Sequence, residues 1–449
     1  MDSFYSSDNA PVKLKKSRKS RNPYKQLTDE EAAIVSRSDA IICSSLDTLH
    51  PDKLLDLSRY VPYERIEPHL RHGLLAESIF QKQLKLDEVK YDDLRRPERQ
   101  ELRQRASVQA YVDLVRDGVF DASVLAPLGD NLPAPSTESS RGRPSNELKT
   151  MFRLVLLGCR FRLSDQSLYE WACESPTVRR FVGITDIRHI PSPKTIWSYR
   201  DAWAQHNSLR KVFDESLQFC LDLLPDISSQ IGKCSIVDGT FVDAPKRHVS
   251  AAVHQQIIDG VDPVDIFENP AERRQRDVDA RHTKKNNLPY FGYKTHTKAC
   301  MVSKLITDLF VTAANVHDSQ AVDKLITSAD KGTVVLGDSA YNGQKQRNYV
   351  ESVGAEPLFM EKPTVIKKLL DDPFELFQRK GRLLLEQNAM ISKHRVRVEH
   401  IFGHIQVSFG GSFVRSVSFP RANAHQMLTA CCYNAERTRY LLSEQDVKT

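Results

Sequence analysis

At 449 residues the chain is too long for one average domain of about 150 residues, and its composition, 40% apolar and 27% charged, is that of a globular protein. No run of about 18 apolar residues occurs, which excludes a membrane-spanning helix, and no apolar segment follows the basic N-terminal residues, so no secretory leader is expected. Eight scattered cysteines without a Cys-x-x-Cys pair argue for free thiols in a reducing, cytoplasmic compartment, against a disulfide framework or zinc knuckle, and a net charge of +6 does not by itself identify a nucleic-acid partner.

Residues 1–27, with "VKLKKSRKSRNPYK", read either as a solvated tail or as a basic arm that touches phosphates without reading sequence. Residues 28–125 contain helical stretches, among them "TDEEAAIVSRSDAII" and "ERQELRQRASVQAYVDLVRDGVF", with no assignable role. Residues 126–145 are rich in Pro, Gly and Ser and read as a linker. Within them Arg141-Gly142-Arg143-Pro144 has the form of a minor-groove hook, although Pro144 equally suits the first turn of the next helix. Residues 146–230 are helical again, with a predicted N-cap at Ser164 and a strong helix start at Ser192-Pro193. Lys194, Ser198, Tyr199 and Arg200 fall in the first turns of that helix. The segment fits a helix-turn-helix-like DNA reader, or a small all-α bundle with Trp197 in its core.

From residue 231 to 441 the pattern changes. "KCSIVDG", "YFGYKTHTKACMV" and "KLITDLFVTAA" predict a three-stranded meander, "SQAVDKLITSA" a helix, "GTVVLGDSAY" a strand, "QKQRNYVESVG" a helix and "AEPLFM" a short strand. Two of these strands are expected to end in a carboxylate, Asp238 and Asp338. Burying an unpaired carboxylate is costly, so each needs a hydrogen-bond network or a cation. If the strands are adjacent, the two acids face one crevice and repel unless one is protonated or a divalent cation lies between them. Farther on, Val398, Ile401, Phe402, Ile405 and Phe409 mark an amphipathic helix with Glu399 at the border of its apolar face. Ser392, Arg395 and Gln406 share nearly the same stripe. Glu beside Arg on a helix is ordinarily a surface ion pair; it gains weight beside the two aspartates. Three carboxylates without a His or Cys cluster suggest oxygen-only ligation, hence Mg²⁺ or Mn²⁺ rather than Zn²⁺, and two such ions suit an in-line phosphoryl displacement.

The pieces "VDGTFVDAP", "RHTKKNNLPYFGYKTHT", "VTAANVHDSQ", "VLGDSAYNGQ" and "RVRVEHIFGHI" occur in an order and spacing that resemble the bacterial DDE-type insertion-sequence transposases of the insertion-sequence-five family. "GRPSNELKTMFRLVLLGCRFRLSDQSLYEW" resembles the N-terminal domain common in that group, and the likeness covers roughly residues 141–440. The resemblance implies an α/β, RNase H-like catalytic core preceded by helical N-terminal domains, with Asp238, Asp338 and Glu399 as the metal-binding catalytic triad. It implies cleavage of DNA at the element's terminal inverted repeats, joining of 3′ ends to target DNA, and a homodimer on paired ends. The family's Tyr-Arg-Glu-Lys signature matches here at Arg395 and Glu399, with Ser392 and Gln406 in the tyrosine and lysine positions that contact the DNA end. Lys393, Arg397 or His404 are the residues able to compensate.

Asn315, His317 and Asp318 match the family's "ANVHDSQ", which places them near the metals; Asp318 equally suits a helix N-cap, and Asp243 either supports the site or ends a strand. Thr283, Lys284 and Lys285 lie in a basic stretch read as a solvated or phosphate-binding loop, and Tyr341 either stacks on a flipped base or packs on the following helix. A haloacid-dehalogenase-like phosphatase is a poor reading because the nucleophile position is Ile236. The same residues would also suit a catalytically weakened or domesticated transposase that acts as a sequence-specific DNA-binding protein, or a stand-alone nuclease.

Overall fold

The computed structural model of the chain describes residues 23–49, 58–129, 131–136, 147–229, 232–285 and 287–446. The tail before residue 23 and the Arg141–Pro144 segment lie outside them. Three long helices come first: α1 (Asp29–Leu49), α2 (Tyr63–Leu86) and α3 (Arg96–Arg116). Thr28 starts α1: its Oγ1 accepts the Glu31 amide at 3.3 Å while Glu31 accepts the Thr28 amide at 2.8 Å. The described part of the Pro-rich stretch is pinned to α3, since the Ser136 amide and hydroxyl both donate to the buried Asp113 at 2.7 Å.

Five helices follow: α4 (Leu148–Arg160), α5 (Asp165–Glu174), α6 (Pro176–Val182), α7 (Pro193–Gln205) and α8 (Ser208–Asp222). The expected caps are present, with Ser164 Oγ accepting the Ser167 amide at 3.0 Å and Ser192 Oγ accepting the Thr195 amide at 3.2 Å. The bundle's buried tryptophan is Trp203, whose indole donates to the Leu70 carbonyl at 3.0 Å. Trp197, which the all-α bundle alternative put in the core, is 42% exposed with Arg421 over its ring, because α7 turns the 196/203 side inward.

The sheet is built from β1 (Cys234–Asp243), β2 (Arg281–Lys285), β3 (Leu288–Cys300), β4 (Ile306–Ala313), β5 (Val334–Gly337) and β6 (Glu356–Phe359). β3 pairs antiparallel with β1 on one edge; β4 and β2 share its other edge, β4 along Tyr293–Ala299 and β2 along Leu288–Gly292. β5 and β6 continue beyond β1, both parallel to it, so the order runs β4-β3-β1-β5-β6. The expected meander is therefore present. β2 occupies the stretch read as an irregular loop, and "SQAVDKLITSA" forms only short turns rather than a full helix. Between β1 and β2 lies an excursion carrying α9 (Ala251–Ile258).

Strand alternation divides the core. Ile236 and Leu336 join one cluster with Val398, Ile401 and the helical bundle; Val237 and Val335 join another with Tyr341, Val350 and Phe359. The first face is covered by α12 (Glu375–His404), which lies across β1 and β5 after α10 (Gln344–Ser352) and α11 (Pro363–Leu370). α12 ends in a π-turn, Ile405–Phe409, before α13 (Phe419–Asp446) crosses the bundle. On α13 the buried Asn434 accepts the Ile306 amide and donates to the Ile306 carbonyl, both at 2.9 Å, which anchors β4 to the helices. Met151 and Phe213 of the bundle share one cluster with Ile236 of the sheet and Cys431 of α13, so the core is continuous across residue 230.

Candidate active site

Strand pairing brings Asp238 and Asp338 near each other. β1 and β5 pair Cys234 with Val334, Ser235 with Val335 and Ile236 with Leu336. Asp338 lies just past the end of β5, two positions beyond the last pair, where that register carried on would meet Asp238, and it is near enough for its charge to act on Asp238. Because side chains alternate along β1, Asp238 points to the face of Ile236, the face that α12 covers and from which Arg395 reaches it. β1 does not end at Asp238, as its sequence suggested; it runs on to Asp243 because β3 keeps pairing with it as far as Gly292. Asp338 does follow the end of its strand and accepts the Ala340 amide at 2.8 Å.

Asp238 is partly buried and accepts the Gly239 amide at 2.8 Å. Burial pushes its carboxyl above the ordinary aspartate range and the Asp338 charge adds to the push, with Arg395 and the Gly239 amide only partly offsetting them. Arg395 of α12 donates Nη2–H to Asp238 Oδ2 at 2.6 Å and rests Nη1 on Met360 Sδ at 3.6 Å. Its Nε–H is buried with no acceptor among the described residues.

One helical stripe carries Arg395, Glu399 and Gln406. Gln406 Nε2 donates to Thr240 Oγ1 at 3.2 Å, so the stripe touches β1 on both sides of Glu399. Glu399 itself is exposed. The expected convergence of three carboxylates is not assembled: among the described residues no three His, Cys, Asp or Glu side chains lie close enough to hold a metal ion together. Arg395, one turn from Glu399, fills the helix-facing side of Asp238 instead. Two neighbouring, partly buried carboxylates with oxygen-only donors suit a hard divalent cation, and the charge that such an ion would balance is the one Arg395 balances here. Of the residues expected to compensate at the DNA end, Arg397 donates to the Met301 carbonyl at 2.8 Å and His404 pairs with Glu436 at 3.3 Å. Lys393 and Ser392 are exposed.

Asp318 approaches from the opposite side of the sheet. A Cβ on Gly239 would lie 2.8 Å from Asp318 Oδ1 and 3.3 Å from Lys294 Cδ, so the glycine after Asp238 makes room for this pair. Lys294 Nζ is 3.1 Å from Asp318 Oδ1 and donates to the Val316 carbonyl at 2.8 Å. His296 bonds Thr312 Oγ1 through Nε2 at 2.9 Å and holds Nδ1 3.6 Å from Asp318, with burial taking its imidazole down to about 4. The cap of the following turn is His317 rather than Asp318, since its Nδ1 accepts the Ser319 amide at 3.2 Å. Asp243 closes β1 through main-chain bonds to Ser412 and Val414, and alternation turns its side chain away from the face of Asp238. Tyr341 is 1% exposed against Phe359 and is not available to stack on a base.

Lys284 and Lys285 are exposed on β2, with Lys285 Nζ 5.8 Å from the centre of the Phe241 ring. Lys194 is exposed on α7. Arg200, expected to face DNA, is held by Asp165 in a two-pronged ion pair of 2.5 and 2.7 Å that braces α7 on α5. Sequence reasoning missed Thr240, Lys294 and His296. A signal was available: the run Lys294–Lys298 is polar throughout, yet it sits in a central strand and is buried.

Residues 230–435 match a family model described as a transposase DDE domain, and residues 100–202 match one described as a transposase domain (DUF772). The second match begins well before residue 141, where the motif resemblance starts, and takes in most of α3. No solved structure matches the chain.

Proposed function

We propose, from the matches of residues 230–435 and 100–202 to two transposase-domain models, that Asp238, Asp338 and Glu399 are the acidic triad of a transposase that cuts DNA at insertion-sequence ends and joins the freed 3′ ends to target DNA. The observation that carries this is the parallel pairing of β1 with β5, which puts Asp238 on one strand and Asp338 just past the end of the next, near enough for their charges to interact, under the helix that bears Glu399. The strand order, three antiparallel strands followed by two parallel to the first, supports an RNase H-like core. The five ordered motifs support the insertion-sequence-five assignment, and a homodimer on paired ends is what that resemblance implies.

Asp238, Asp338 and Glu399 would hold Mg²⁺ or Mn²⁺, as a pair of ions, which supplies activation of the attacking water or 3′-hydroxyl and stabilisation of the leaving oxygen. Arg395, once off Asp238, offers its guanidinium, including the unsatisfied Nε–H, to a phosphate of the scissile strand. Its departure also leaves the side of Asp238 open to Glu399. Lys393, Lys284, Lys285 and Lys194 are exposed cations for the DNA backbone.

The test is Mg²⁺-dependent nicking of a plasmid carrying the element's ends. Asp238→Ala, Asp338→Ala and Glu399→Ala should each abolish nicking and leave DNA affinity within a few-fold, since affinity rests on basic groups. Full nicking by any of the three removes that residue from the triad. A wild-type chain that binds the ends but never nicks them would be a DNA-binding regulator.

A further inference from the structure

The excursion between β1 and β2 folds back to form a pocket lined by Lys246, Arg247, His254, Arg276, Arg281 and His282, with Asp277 as the carboxylate in its wall. Asp277 is already committed: it accepts the Tyr293 hydroxyl at 2.7 Å and the amides of Ala280 and Ser418 at 3.0 and 3.2 Å. Arg276 is partly neutralised by Glu272, to which it donates at 2.6 Å. Arg281 spends its donors on the carbonyls of Val278, Ala280 and Ile257, so its charge meets no acid. Lys246 and Arg247 are exposed, and no described carboxylate pairs with either. His282, held against Phe291 and His254 at ring distances of 4.6 and 5.2 Å, is kept below the ordinary histidine range by burial and then by the nearby Lys246 and His254. The pocket is therefore a concave patch with an uncompensated positive charge, its walls fixed by main-chain bonds and its two exposed cations at the mouth.

Its place on the sheet is informative. Register pairs Val242 with Tyr293 and His282 with Phe291, and alternation puts all four on the same face as Asp238. Asp238 is roughly 16 Å from the end of β1 at about 3.3 Å per residue, and the pocket opens beyond that end. Building on the transposase assignment above, we propose that this pocket is a phosphate-binding subsite, in which Lys246 and Arg247 grip the DNA backbone away from the phosphodiester presented to Asp238 and Asp338. It positions the duplex and takes no part in bond cleavage.

Binding of the full chain to a fluorescein-labelled duplex of arbitrary sequence, measured by anisotropy from roughly 50 to 200 mM salt, tests this. Lys246→Ala/Arg247→Ala, at two exposed positions, should melt with the wild type, bind several-fold more weakly at the lower salt, and give a plot of log affinity against log salt shallower by about one unit. Asp338→Ala should keep the wild-type slope. An unchanged slope and affinity in the double variant, with wild-type binding intact, overturns the subsite and leaves the transposase assignment standing. A wild-type chain that binds no duplex brings down both.

Discussion

Arg395 decides how the buried end of Asp238 behaves. A carboxylate taken from water beside another carboxylate needs a counter-charge, and here the guanidinium supplies it at 2.6 Å, with both side chains largely buried. Removing one partner leaves the other stranded, so Arg395→Ala should lower stability by roughly 3 kcal/mol in a denaturant titration. Asp238→Asn in the same chain should restore most of that loss; if it does not, Arg395 acts through packing on Met360 instead. Asp238 and Asp338 were legible in the sequence because an acid at the end of an apolar run violates the ordinary rule of burial. The ion pair was not, because its partners lie far apart in the chain and meet only once α12 has docked. Nor was the Asp318–Lys294–His296 group, whose residues look like one polar loop and one ordinary strand until the strand is seen to be central.

Among the elements, β1 carries the most consequence, and Gly292 is its critical neighbour. Gly292 sits where β1, β2 and β3 meet, with φ at +155° and no space for a side chain: a Cβ there would lie 2.2 Å from the Val242 carbonyl oxygen. Gly292→Ala should therefore cost about 3 kcal/mol or more, seen as a lowered Tm and loss of duplex binding at the β1–β2 pocket. An unchanged Tm would mean that β1 can end earlier, as its sequence first suggests. Helices with caps and periodic apolar faces were readable from residues alone, down to Ser164 and Ser192. β2 was not, because "RHTKK" has neither alternation nor apolar content and becomes a strand only by borrowing the free edge of β3. The π-turn after α12 was also hidden. The spacing Val398, Ile401, Ile405, Phe409 reads as an unbroken helix, and the wider last turn shows only where Gly410, with φ at +63°, stops it.

Across the whole molecule, one core joins the helical bundle to the sheet, so loss of any layer is expected to be felt in the others. Buried histidines give the fold a pH dependence, His72 and His296 among them. His72, stacked on Tyr111, and His296 are 2% and 0% exposed, and burial lowers both to about 4 from an ordinary value of 6.5. The unfolded chain therefore binds protons that the folded chain refuses between those values. Their contribution is complete above about pH 6.5 and is lost as pH falls toward 4, at as much as roughly 3 kcal/mol each. Thermal melting from neutral pH to about pH 5 should show Tm falling below pH 6.5, and His296→Gln should flatten the fall; a flat wild-type profile would contradict it. Among the described residues no helix is long and apolar enough to cross a membrane. The ladder between β1 and β5 has one more implication. The two aspartates stand a hundred positions apart along the polypeptide, yet the strands that lead to them are tied by three rungs of main-chain pairing. Segments of the intervening chain outside the sheet, such as the α9 part of the excursion before β2, can lengthen or shorten without moving that ladder. Such a scaffold lets new nucleic-acid contacts be grafted between two acids whose supporting strands keep their pairing.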